Sequence, residues 1–133
     1  MSYNSQTSSY REMEVHAASP ERLVCIVFEQ LVVNLERARI AMERRDAELR
    51  VVSLRRARGL VSELLSTLDF EKGGKLAHEL ADLYQFLLWQ LVDIGQRGDI
   101  VTMRRLVHIA SQLRDGFQGA AQQLAGQVSR KTA

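Results

Sequence analysis

A chain of 133 residues with 18 basic and 16 acidic side chains, net +2, and 46% hydrophobic residues fits one domain able to bury about two-thirds of its unfolded surface, without disulfide or metal staples. Both signs of charge interleave along it, which reads as a solvated surface more than a nucleic-acid footprint, and Cys25, the sole cysteine, sits in an apolar run, so no internal disulfide forms and a reducing, cytoplasmic setting fits. The opening MSYNSQTSSYREMEVH lacks a signal-peptide apolar region, and no run is long enough for membrane insertion.

Residues 1–18 read as a mobile N-terminal arm, polar but for Tyr10, Met13 and Val15 near its end. SPERL opens a helix over 20–44: Ser19 caps, Pro20 suits the first turn because its missing N–H is not needed there, and Glu21 complements the dipole. Val24, Phe28, Leu31, Leu35, Ala38 and Met42 repeat at four and three, the seam of a helix packed in a bundle. After RRDAE a second helix spans 48–69, with Leu54, Ala57, Val61, Leu64 and Leu68 as its seam. EKGG breaks it, since paired glycines adopt turn conformations other residues resist. A third helix covers 75–95 with Leu76, Leu80, Leu83, Leu87 and Leu91 on one stripe and Tyr84 and Leu88 beside it. GQRGD ends it, and Asp99 caps a fourth helix with the seam Met103, Leu106, Ala110, Leu113, Phe117, Ala120 and Leu124. Gly116 and Gly119 are expected to fray or bend its last turns, and 129–133 form a polar tail. Four helices joined by short turns predict an all-α, antiparallel up-and-down four-helix bundle over 19–128.

Two features exceed what a bundle needs. LVCIVFEQLVVNL, residues 23–35, has ten apolar residues in thirteen. On the wheel, Ile26, Val33 and Ile40 fall opposite the seam as a second apolar stripe, with Cys25 and Val32 widening one flank. Either the arm folds over this stripe or a partner helix docks there, and a displaceable arm satisfies both. Trp89, with Phe86 to one side, points away from the leucine stripe of helix 3, the position of an interface anchor or of a ring half-covered by a neighbouring segment.

Catalytic and cofactor chemistry finds little support. HELAD, 78–82, has Asp82 where a zinc-protease helix needs its second histidine. KGGK, 72–75, lacks the spaced glycine, the Ser/Thr and the preceding strand of a phosphate loop, and no nucleophile elbow or Cys-His arrangement occurs. The sequence therefore reads as a non-enzyme without cofactor or metal. RRDAELRVVSLRRAR, Arg44 to Arg58, offers the alternative of a regulatory or nucleic-acid adaptor, but its carboxylates dilute the charge and no aromatic residue stands there to stack on bases.

Tyr10, Val15, Ser19, Pro20 and Leu23, in the pattern Y-x4-V-x3-SP-x2-L, and the block LDFEKGGKLAHELADLYQFLLWQLV from Leu68 to Val92, resemble the FliS family of flagellar secretion chaperones, from about Tyr10 to Phe117. The resemblance implies a small cytoplasmic helical bundle that binds the C-terminal segment of flagellin, one to one, prevents premature polymerisation and delivers it to a component of the flagellar export gate. It implies a monomer or weak dimer when free, and no nucleic acid. Tyr10 matches the family's N-terminal tyrosine, in the arm that caps or lines the flagellin-binding cleft; Ser19, Pro20, Leu23, Gly73, Gly74, Leu83 and Tyr84 match positions that serve the fold. The chain departs from the pattern at VFEQL, at IGQRGD, at Phe117, where tryptophan is usual, and at Trp89, where a basic residue is common. Residues expected to meet a partner are Tyr10, Val15, Ile26, Val33, Ile40, Phe86 and Trp89.

Overall fold

The computed structural model describes residues 20–132, which form four helices: α1 Pro20–Arg44, α2 Ala47–Ser66, α3 Phe70–Arg97 and α4 Ile100–Thr132. The Ser19 cap and the arm residues Tyr10, Met13 and Val15 lie outside the described residues. Each reversal is built by short-range chemistry. Arg45 takes the left-handed φ of 56° after α1, and the Asp46 N–H then reaches back to the Ala41 carbonyl at 2.9 Å. Asp46 caps α2 by accepting from the Leu49 N–H at 3.0 Å, so that helix begins at Ala47.

EKGG does not separate two helices as expected. Asp69 caps α3 through the Lys72 N–H at 3.0 Å, and α2 has already ended at Ser66. Glu71 to Gly73 thus form the opening turn of α3, five residues earlier than the predicted start at 75, and the glycine signal appears as a kink at Gly74, whose φ of 52° and ψ of −128° are non-helical. His78 Nδ1 stands 2.9 Å from the Gly74 carbonyl oxygen and its ring packs on Phe70, which braces the kink. Left-handed Gly98 ends α3 and Asp99 caps α4, accepting from Val101 N–H and from the Thr102 hydroxyl at 2.7 Å. The Thr102 bonds, with the hydroxyl first, hold the Asp99 carboxyl below its usual range, so this cap contributes above the ordinary carboxylate pKa and is lost as pH falls through the lowered one. Gly116 and Gly119 cause no break, and α4 runs through both.

The helices form an antiparallel bundle in which α1 packs closely against α2 and α4, and α3 packs on α2 while approaching α4 least. α1 and α3 therefore stand diagonally opposite. This arrangement explains the grease of α1. Its α4 flank is marked by Glu29, whose carboxylate accepts from Gln118 at 2.8 Å, and Cys25 and Val32, on that flank at i−4 and i+3, are buried. These two residues do not widen a free stripe; α4 covers them. On the other flank Asn34, Ala38 and Ala41 are buried towards α2, where Ser53 and Ala57 are buried too, and small residues on both sides let the axes approach. Asn34 Nδ2 donates to the Gln30 carbonyl at 2.8 Å, while its Oδ1 has no partner among the described residues.

Three rings tie the bundle across its diagonal: Phe28 of α1 stacks on Phe117 of α4, centroids 5.0 Å apart, and meets Tyr84 of α3 at 6.3 Å. Burial pushes the Tyr84 phenol up to about 12 from 10.0. A raised folded-state pKa means the stabilisation is complete below pH 10 and is lost as pH rises towards 12, in total about 2–3 kcal/mol. Urea unfolding at rising pH should therefore show a decline through that window that Tyr84→Phe lacks; equal declines would place the cause elsewhere.

Candidate partner-binding surfaces

Among the described residues, apolar side chains stay uncovered on α1, on α3 and in a cleft at one end of the bundle. On α1, Val33 is 39% exposed, with Ile26 and Ile40 half-buried one heptad to either side. The expected second stripe therefore faces away from the core, although it is narrower than expected without Cys25 and Val32.

On α3 the outward residues are Trp89, 69% exposed, Phe86 at 46% and Val92 at 45%. The buried face of this helix is Ala77, Ala81, Tyr84, Leu87, Leu91 and Ile94. It lies about half a residue step round from the predicted leucine stripe, so Leu80 and Leu83 sit at its margin and Leu76 is 60% exposed. Trp89 opposes this observed seam as it opposed the predicted one. On α4 the seam holds at Met103, Leu106 and Ala110, with Leu113 and Phe117 packed against it, whereas Ala120, expected in the seam, is exposed.

The third feature is a cleft of about 300 Å³ at the end of the bundle where α2 passes into α3. Leu64 lines it from α2, Leu68 from the turn between α2 and α3, Leu76 and Leu80 from α3, Val24 from the first turns of α1, and Tyr84 and Phe117 from the ring cluster. All of the α3 contribution, and Leu68 and Asp69 before it, comes from the LDFEKGGKLAHELADLY block. That block was expected to serve the fold. It does so through Tyr84, and it also shapes an apolar opening that a helical wheel does not show, because the cleft is made by the kink at Gly74 and by residues from four helices.

The structure does not bring the expected contact residues onto one surface. Ile26, Val33 and Ile40 face outward from α1, Phe86 and Trp89 outward from the diagonal helix α3, so the two patches look in opposite directions. With neighbouring axes about 8–10 Å apart, the outer faces of diagonal helices are roughly 20 Å apart. Tyr10 and Val15 lie outside the described residues, yet the chain enters α1 at Pro20, one turn before the cleft residue Val24.

Among the described residues no cluster of histidine, cysteine and carboxylate side chains has the makings of a metal site, and no helix is long and apolar enough to cross a membrane. A family model described as flagellar protein FliS matches residues 2–124. The chain is 34% identical over 84 residues to the flagellar secretion chaperone FliS of Campylobacter jejuni, covering 63% of this chain and 66% of that protein. It is 29% identical over 108 residues to the flagellar secretion chaperone FliSB of Pseudomonas aeruginosa, covering 81% and 86%. To the flagellar secretion chaperone FliS of Salmonella typhimurium it is 28% identical over 120 residues, covering 90% and 89%.

Proposed function

The chain belongs to the FliS family of flagellar chaperones, whose members bind and do not catalyse, and on that premise we propose that it holds flagellin in the cytoplasm by the C-terminal segment and hands it to the export apparatus. The observation that carries this reading is the placement of exposed apolar residues on opposite sides of one small bundle, with an apolar cleft at its end. A single docked helix cannot reach both Val33 and Trp89. A long segment that orders on binding can, by laying one stretch along α1, another along α3 and passing the end of the bundle between them.

The physics is that of substitution. A flagellin tail has apolar helical faces that it buries against other subunits in a filament; the chaperone offers equivalent surfaces, so the monomer cannot assemble early. Ordering the tail consumes several kcal/mol of the gross interaction, which keeps the complex dissociable at the gate. A binding assay with intact flagellin and with flagellin lacking its C-terminal segment tests the reading: capture of the intact protein alone supports it, and equal capture of both overturns it.

Two further expectations follow from the placement of the stripe and the cleft. Val33→Asp should leave the helical content and melting temperature near those of the parent, since the side chain is already in contact with water, and should weaken flagellin binding at least about tenfold by setting a charge against an apolar face. Loss of the fold would show that Val33 is core. Residues 1–18, which precede α1 and its cleft residue Val24 in the chain, should change their hydrogen-exchange protection when flagellin binds, the outcome expected of an arm that flagellin displaces. Identical protection in the free and bound states would remove the arm from the mechanism.

A further inference from the structure

At the end of the bundle opposite the cleft, the carboxylates other than the exposed Glu48 are engaged within the fold, while several arginines are left over. Glu43 accepts from Arg39 at 3.1 Å and from Arg104 at 3.0 Å, and the Arg104 bond is the first cause holding its carboxyl below the usual range. Glu36 is taken by Arg39 at 2.7 Å, and Asp46 and Asp99 cap α2 and α4. The guanidinium groups of Arg44, Arg45, Arg55 and Arg56 have no carboxylate partner among the described residues, and all four side chains are exposed. Arg44 ends α1 and Arg45 stands in the turn to α2; Arg55 and Arg56 stand on the outer face of α2, about 13 Å along its axis. Val51, 48% exposed, lies between the two pairs.

Arg45 adds an independent observation. Its φ of 56° is a conformation suited to glycine or asparagine, and an arginine there is held against a local preference of about 1 kcal/mol. The turn itself does not require that side chain, since the closing bonds are made by backbone groups.

We propose that this arginine face is a docking site for an acidic protein segment, whose carboxylates meet Arg44, Arg45, Arg55 and Arg56 and whose apolar side chain covers Val51. The forked guanidinium matches a carboxylate with two parallel hydrogen bonds, and arginine around an exposed aliphatic residue is the composition of a protein interface. Nucleic acid is the poorer fit, since α2 has no aromatic residue to stack on bases. The α2 corner is separate from the outer faces of α1 and α3, so the segment binds while flagellin is held.

Fluorescence anisotropy with a labelled amphipathic peptide of about twenty Glu and Leu residues tests the site on the full chain. The parent should bind, Arg55→Glu/Arg56→Glu should weaken binding at least about tenfold, and Lys75→Glu/Arg114→Glu, the same charge change toward the opposite end of the bundle and outside the cleft lining, should not. Flagellin capture should be unaltered by Arg55→Glu/Arg56→Glu. If circular dichroism shows that the reversal disturbs folding, Arg55→Gln/Arg56→Gln should give the same order with a smaller loss. Equal weakening by the two charge reversals would reduce the effect to net charge and overturn the site, as would absence of peptide binding to the parent. Tighter binding of duplex DNA than of the peptide, with a steep salt dependence, would overturn it in favour of nucleic acid.

Discussion

Phe28→Ala should lower the free energy of unfolding by about 3–5 kcal/mol, the range for removing a fully buried ring from a packed core. Phe28 is completely buried and is the one residue of α1 whose ring contacts both Phe117 on the neighbouring helix and Tyr84 on the diagonal one. α3 and α4 approach each other least of the adjacent pairs, so this ring cluster substitutes for close backbone packing at that side. Its removal leaves a cavity that alanine cannot fill and that α3 and α4 can collapse into only by shifting the floor of the cleft. Urea unfolding measures the loss directly. A second readout should move with it: flagellin binding should weaken even at temperatures where the variant is fully folded, because Tyr84 and Phe117 line the cleft. A loss below about 1.5 kcal/mol, the usual ceiling for volume-conserving core changes, would mean that the cluster is not a keystone of the bundle.

The bundle itself was legible because three of its four seams follow large apolar residues at spacings of three and four. Leu54, Ala57, Val61 and Leu64 on α2, and Met103, Leu106 and Ala110 on α4, are buried as their spacing requires. α3 shows where that reasoning stops. Its leucines at 76, 80 and 83 are conspicuous, yet the residues turned inward beside Tyr84 are Ala77 and Ala81. A wheel weighted by hydrophobic size favours leucine, whereas a close helix–helix approach favours alanine, and the distance between helices is not a property of either sequence alone. The same limit applies to Cys25 and Val32: the wheel set them on the flank of the free stripe, and the position of α4 makes them part of the buried core. The cleft was illegible for a related reason. Its lining is drawn from residues 24 to 117, and the Gly73-Gly74 pair that shapes its mouth reads locally as a turn between helices, while the structure uses it as a kink inside one. The exposed stripe of α1 and the outward Trp89 were legible because a residue opposite every core position stays outside whichever neighbours the helix acquires.

Trp89→Ala should weaken flagellin binding by at least about 2 kcal/mol, close to thirtyfold, with little change in melting temperature. Trp89 is 69% exposed and is flanked by Phe86 and Val92 on the same outward face, so the free protein presents a wide apolar surface around one large ring. Its ring takes no part in the aromatic cluster of the core, which is made by Phe28, Tyr84 and Phe117. Burying such a ring against a partner yields far more than the aliphatic neighbours can, and truncating it on a solvated face leaves no cavity in the fold. The chain has a single tryptophan, so its fluorescence reports on this site alone: emission should be that of a hydrated indole in the free protein and should shift to the blue on flagellin binding. Phe86→Ala should show a smaller loss in the same direction, since its ring stands at the edge of the patch. A tryptophan spectrum that is blue-shifted before flagellin is added, together with a melting temperature that falls on mutation, would mean that the ring is covered within the protein. Binding would then have to be carried by the α1 stripe and the cleft, and Val33→Asp would become the more damaging substitution of the two.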